Sequence, residues 1–170
     1  MRTYTIKQGN HYANGLNFKL HNNLHQLNFK AKLSSNCLYQ FPDITGEHDA
    51  DNFDINKVHG VTWGLFNDND SFRTGWNCGA NNGLHQWYAY IHERGIMKYQ
   101  FLFEEEPNVE VNFNNWFLRS NNLIGIERLD KSGSYEVPFN FEGVSEMGYY
   151  NFPYFGGNKV APHLMNIGIE

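Results

Sequence analysis

The residues of this chain that could do chemistry are its clustered acids and its histidines. Asp49, Asp51 and Asp54, in HDADNFD, are spaced so that the first two would lie about 7 Å apart on one face of a strand. Glycoside hydrolysis needs two carboxyls roughly 5 to 9 Å apart across one bond. All three are aspartates, however, in a stretch that reads as a loop before INKVHGVTWG, so a solvated acidic loop is the expectation. Glu104, Glu105 and Glu106 follow MKYQFLF and precede Pro107, the pattern of a charged strand end with a proline stop. His21 and His25 have the i, i+4 spacing of a helical metal pair, but LHNNLHQLNF reads as a turn and a strand. NDND at 67–70 lacks the glycine and later acid of a calcium loop, and no G-x-S-x-G nucleophile signature occurs. The expectation is a non-enzyme with no catalytic residues, no metal and no cofactor.

A surface is the stronger signal. In LHQWYAYIH, alternation assigns Trp87, Ala89 and Ile91 to a core and turns Gln86, Tyr88, Tyr90 and His92 to the other face. The same phase on neighbouring strands adds Thr62, Arg73, Lys98 and Gln100. Arg73, Gln86, Tyr88, Tyr90 and Gln100 are the candidate ligand-binding residues. Flat rings suit the C–H faces of sugars, and amide and guanidinium groups read hydroxyls. Tyrosine serves protein interfaces equally well, and paired tyrosines also stabilise sheets across strands.

Short strands position these groups. QLNFKAKL puts Leu27, Phe29, Ala31 and Leu33 on one face, and VTWGLF alternates Val61, Trp63 and Leu65 against Thr62, Gly64 and Phe66. SFRTGWN contributes Phe72 and Trp76, and MKYQFLF contributes Met97, Tyr99, Phe101 and Phe103. Asn-Asn pairs at 22–23, 81–82, 114–115 and 121–122 read as turns, as do NDND and DKSGS. No segment carries a 3.6-residue period. The fold expected is all-β: an antiparallel jelly-roll β-sandwich, with residues 1–170 as a single domain.

The 170 residues are 41% hydrophobic and 16% aromatic, enough for a large core. A net charge of −5 without a basic cluster argues against a nucleic-acid partner. Nothing approaches the ~18 apolar residues of a membrane span, and the start MRTYTIKQGNHYANG has no signal-peptide core, so a cytoplasmic or virion-associated location is expected. Cys37 and Cys78 lack CxxC spacing and suit buried thiols.

The runs DINKVHGVTWGLFNDNDSFRTGWN, WYAYIHERG and PYFGGNKVAPHLMNIGI resemble small concanavalin-like jelly-roll proteins of bacteria and their tailed phages, over residues 54 to 170. The resemblance implies a non-catalytic accessory of a virion or surface that binds other protein subunits, its own copies included, or alternatively a lectin-like glycan binder. In such a sandwich the strand around His163 to Ile169 lies near the N-terminal strand, and YYNFPYFGG (149–157) crosses one end as a core plug. Phe152 and Phe155 are then expected to be buried.

Overall fold

The computed structural model describes residues 1–15, 19–42 and 50–170. Among these, twelve strands form two six-stranded sheets in which every pairing is antiparallel. In chain order they are β1 (Arg2–Ile6), β2 (Leu20–Asn22), β3 (Gln26–Leu33), β4 (Asn56–Trp63), β5 (Asp70–Asn77), β6 (His85–Glu93), β7 (Ile96–Glu105), β8 (Glu110–Leu118), β9 (Leu123–Arg128), β10 (Gly133–Pro138), β11 (Met147–Asn151) and β12 (Met165–Ile169). One sheet has the order β1-β12-β3-β8-β9-β10 and the other β2-β11-β4-β5-β6-β7. The protein is an antiparallel jelly-roll β-sandwich, as the alternation predicts.

The inward residues of both sheets meet in one apolar core. Trp63, Phe72, Trp76 and Trp87 come from one layer and Phe29, Phe113 and Phe117 from the other. Trp63 meets Phe117 edge-on at 5.1 Å between ring centroids, the arrangement the ring quadrupoles favour. Each fully buried aromatic contributes about 2–3 kcal/mol. As expected, β12 pairs with β1, and Trp87, Ala89 and Ile91 are buried.

Three expectations change. β4 ends at Trp63 because Gly64 adopts φ +87°, and Leu65 and Phe66 turn out into solvent. Asn114 and Asn115 lie inside β8, where Asn115 Nδ2 donates to the Leu27 carbonyl at 3.2 Å; Asn23, Asn81 and Asn122 do take the left-handed turn conformation. In β7, a bulge opposite Trp87 and Tyr88 inserts Leu102 as an extra residue. Leu102 is buried, Phe103 packs against the core, and Met97, Tyr99 and Phe101 are exposed on the outer face. A bulge shifts the phase by one, which strict alternation cannot show when both faces are aromatic.

The 149–157 segment is only in part the expected plug: Tyr149, Tyr150 and Asn151 pair with β4 as part of β11, and Phe152 is not fully buried. Phe155 is buried against Tyr39, and Phe152 is half-buried beside Tyr4 and His59. Cys37 and Cys78 are both buried and free, with Cys78 Sγ donating to the Cys37 carbonyl at 3.4 Å. Burial pushes both thiols up to about 12, leaving them unreactive.

Candidate functional site: a tyrosine-lined cleft with two buried cations

The outer face of the β2-β11-β4-β5-β6-β7 sheet carries three successive cross-strand rows. Asn151, Gly60, Arg73, Tyr90 and Tyr99 form the middle one. Tyr149, Thr62, Ser71, His92 and Met97 form a second. The third runs from Tyr154 through Lys57, Gly75 and Tyr88 to Phe101. Lys57 belongs to this face because β4 has a bulge of its own between Lys57 and His59, with Val58 as the extra residue. Without that insertion Lys57 would share a face with Val61 and point into the core. Gly60 fits beside the bulge because a Cβ there would run into the Phe72 carbonyl and Arg73 Cα.

Beyond β11 the chain returns over this face. Lys57 and Tyr154 exchange backbone hydrogen bonds of 2.8 and 2.9 Å, and Tyr12 bridges to the far side of Tyr154. The result is a cleft of about 600 Å³. Lys57 and Arg73, only 8% and 6% exposed, lie deep in it, while Tyr12 and Asp68 stand at the rim. Tyr90, Tyr154, Asn67 and His92 complete its working surface.

The two cations are held by rings and carbonyls. Lys57 Nζ stands 4.2 Å from the Tyr90 ring centroid and 5.7 Å from that of Tyr154. Arg73 Cζ lies 5.4 Å from the Tyr90 ring. Arg73 Nη2 donates to the Asn67 carbonyl and to Ser71 Oγ, both at 2.8 Å, and is 3.2 Å from His92 Nδ1. Arg73 Nε is buried without a hydrogen-bond partner. Burial first and the Arg73 charge second bring the Lys57 ammonium down to about 8. Burial also lowers His92 and raises the Tyr90 and Tyr154 hydroxyls, so the histidine is neutral and the tyrosines are protonated donors at pH 7.

No family model matches the chain, and no curated protein matches it. Several solved structures share its general chain path. Galectin-Ib from Xenopus laevis aligns over 91% of this chain and 100% of its own, at 9% identity and a TM-score of 0.46. A toad ovary galectin in complex with thio-digalactose aligns over 92% and 100%, at 11% identity and 0.46. An alginate lyase from Alteromonas sp. 272 aligns over 99% of this chain and 72% of its own, at 9% identity and 0.44. At these scores the matches assign no activity.

Of the residues named from sequence, the fold brings Arg73 and Tyr90 together in the cleft. Gln86 and Tyr88 share their face but lie farther along β6. Gln86 Nε2 donates to Glu104 Oε1 at 3.0 Å, and the Tyr88 ring packs edge-on against Phe101 and Tyr99. Gln100 pairs with Ala89 and Lys98 with Ile91, so both project from the opposite face of the edge strand, a consequence of the Leu102 bulge. Thr62 is buried in a mutual hydrogen bond with Asn151.

Of the acids named from sequence, Asp51 and Asp54 come together in a side-chain hydrogen bond. Asp49 lies outside the described residues; Asp51 pairs with Lys159 at 3.2 Å. Burial first, and then Asp51, raise the Asp54 carboxyl. Glu105 is ion-paired to Arg128 and, at 2.7 Å, to Lys131, while Glu106 is exposed. Among the described residues no three His, Cys, Asp or Glu side chains gather as a metal site. His21 Nε2 instead lies 3.0 Å from the Thr62 carbonyl.

Lys57, Tyr154 and Tyr12 escape the sequence reading. Gly60 and the three-residue step between the buried Val58 and Val61 are the local marks of the bulge that exposes Lys57 to the cleft. Tyr154 reads as plug because four aromatic neighbours, Tyr149, Tyr150, Phe152 and Phe155, lie within five residues of it.

Proposed function

We propose that this protein is a carbohydrate-binding module and that its glycan occupies the cleft between β11, β4, β5 and β6. The observation that carries this is the lining itself: the rings of Tyr12, Tyr90 and Tyr154 stand among N–H and O–H donors in one concavity. Ring faces cover the apolar faces of a pyranose, while fixed donors and carbonyls read its hydroxyls. A cleft of about 600 Å³ lies within the range of small-ligand sites, roughly 300–1,000 Å³. The rival role, an assembly protein binding other copies, rests on the sequence resemblance without a comparable site.

A glycan array followed by calorimetry tests the reading. Tyr12→Ala removes a ring that is 66% exposed and so leaves the fold intact. It should weaken binding about fivefold, the equivalent of about 1 kcal/mol of ring contact. An array with no binder, or binding indifferent to both Tyr12→Ala and Tyr154→Ala, contradicts the assignment.

A further inference from the structure

Resting on the glycan reading, we infer that the cleft is specific for an acidic sugar unit, whose carboxylate or sulfate ester sits between Lys57 and Arg73. Burying a charge is costly unless a counter-charge or a full set of hydrogen bonds compensates it. Two cations are buried side by side here, and each disfavours the other's charge. Among the described residues neither has a carboxylate within ion-pair distance. The ion pairs formed by lysine and arginine involve Lys30, Lys98, Arg128, Lys131 and Lys159 instead. Asp68, the acid on the cleft lining, lies at the rim with its side chain 82% exposed and approaches His92, at 3.8 Å.

Protein contacts leave donor capacity free on both groups. Lys57 Nζ faces the rings of Tyr90 and Tyr154, which attract the cation but accept no conventional hydrogen bond. Arg73 Nη2 is engaged, whereas its Nε–H is buried without an acceptor. A neutral hydroxyl would satisfy a donor but add no charge to the longer-range compensation that Asp54 and Asp68 give Lys57, and Asp68 gives Arg73. An oxyanion supplies the acceptors and the charge together, and charge-assisted bonds are about twice as strong as neutral ones. The tyrosine rings then hold the rest of the sugar ring, which separates this ligand from a free inorganic anion.

The test is calorimetric titration of the purified protein at pH 7 with three oligosaccharide sets of equal length: a polyuronate, a sulfated glycan and a neutral glucan. The expected result is binding of the polyuronate or the sulfated set at least about tenfold tighter than the neutral one; which of the two binds distinguishes carboxylate from sulfate. Lys57→Met should remove most of that preference while unfolding cooperatively as the wild type does. Arg73→Lys, a second variant that keeps the charge but not the planar fork, should lower acidic binding more than neutral binding. Equal affinity for neutral and acidic sugars, still sensitive to Tyr12→Ala, overturns the acidic specificity and leaves the glycan site standing. Acidic binding unchanged in Lys57→Met also overturns it. Absence of binding to all three sets contradicts both.

Discussion

Lys57 is where the chemistry of this molecule is most exposed to test. Its folded pKa of about 8 lies below the ordinary lysine value of 10.5, chiefly because burial penalises the charge. For a base depressed in this way, the unfolded chain binds the extra proton between those two values. The burial cost is therefore present in full below pH 8 and is relieved as pH rises towards 10.5. That cost is about 3 kcal/mol at neutral pH. Lys57→Met, similar in length and uncharged, should accordingly be more stable than the wild type at pH 7 by about 1–3 kcal/mol, with the advantage shrinking by pH 10. Urea unfolding of both proteins at the two pH values measures it; a Met variant less stable at pH 7 would contradict the burial cost. A site residue that lowers stability while lining a cleft is the usual signature of function traded against stability.

At the scale of elements, a bulge in β4 makes the site, and a second re-aims the edge strand beside it. The one at Val58 turns Lys57 outward, and the one at Leu102 turns Tyr99 and Phe101 onto the cleft-bearing sheet face. Gly60→Ala would drive a methyl into the Phe72 carbonyl and displace Arg73, so it should cost about 1–3 kcal/mol and weaken ligand binding together. Phe155→Ala empties the plug beside Tyr39 and should cost about 3–5 kcal/mol in chemical unfolding. The contrast shows how much the sequence could reveal. Clean alternation around Trp87, Ala89 and Ile91 fixed the phase of β6 and with it the outward Tyr90 and its partner Arg73. Gln100 and Lys98 fall on the other face, and Lys57 goes unnoticed, because one inserted residue reverses every assignment on its far side. Tyr154 and Tyr12 meet across 142 positions of sequence, a contact that local pattern cannot contain. The segment 149–157 that reads as packing does both tasks: Phe155 seals the core while Tyr154 walls the cleft.

For the whole molecule, a net charge of −5 surrounds a cleft whose deep charges are positive. The attraction for an anionic sugar is thus local, between buried groups little screened by salt, and not a property of the overall field. One chain supplies every wall of the cleft, so one glycan should bind per chain, whatever mass light scattering assigns to the protein in solution; a calorimetric stoichiometry of one per two chains would require a site shared between copies. The measurement that bears most directly on the cleft is the affinity for the acidic oligosaccharide as a function of pH from 6 to 10. Arg73 remains charged and Tyr90 and Tyr154 remain protonated across most of that range, while the charges of Asp54 and Asp68 also act on Lys57. Lys57 is then the cleft group that loses charge near pH 8. Affinity should fall about tenfold or more as pH rises through and beyond 8, with a much flatter profile in Lys57→Met. A wild-type profile that is flat over the same range would contradict it.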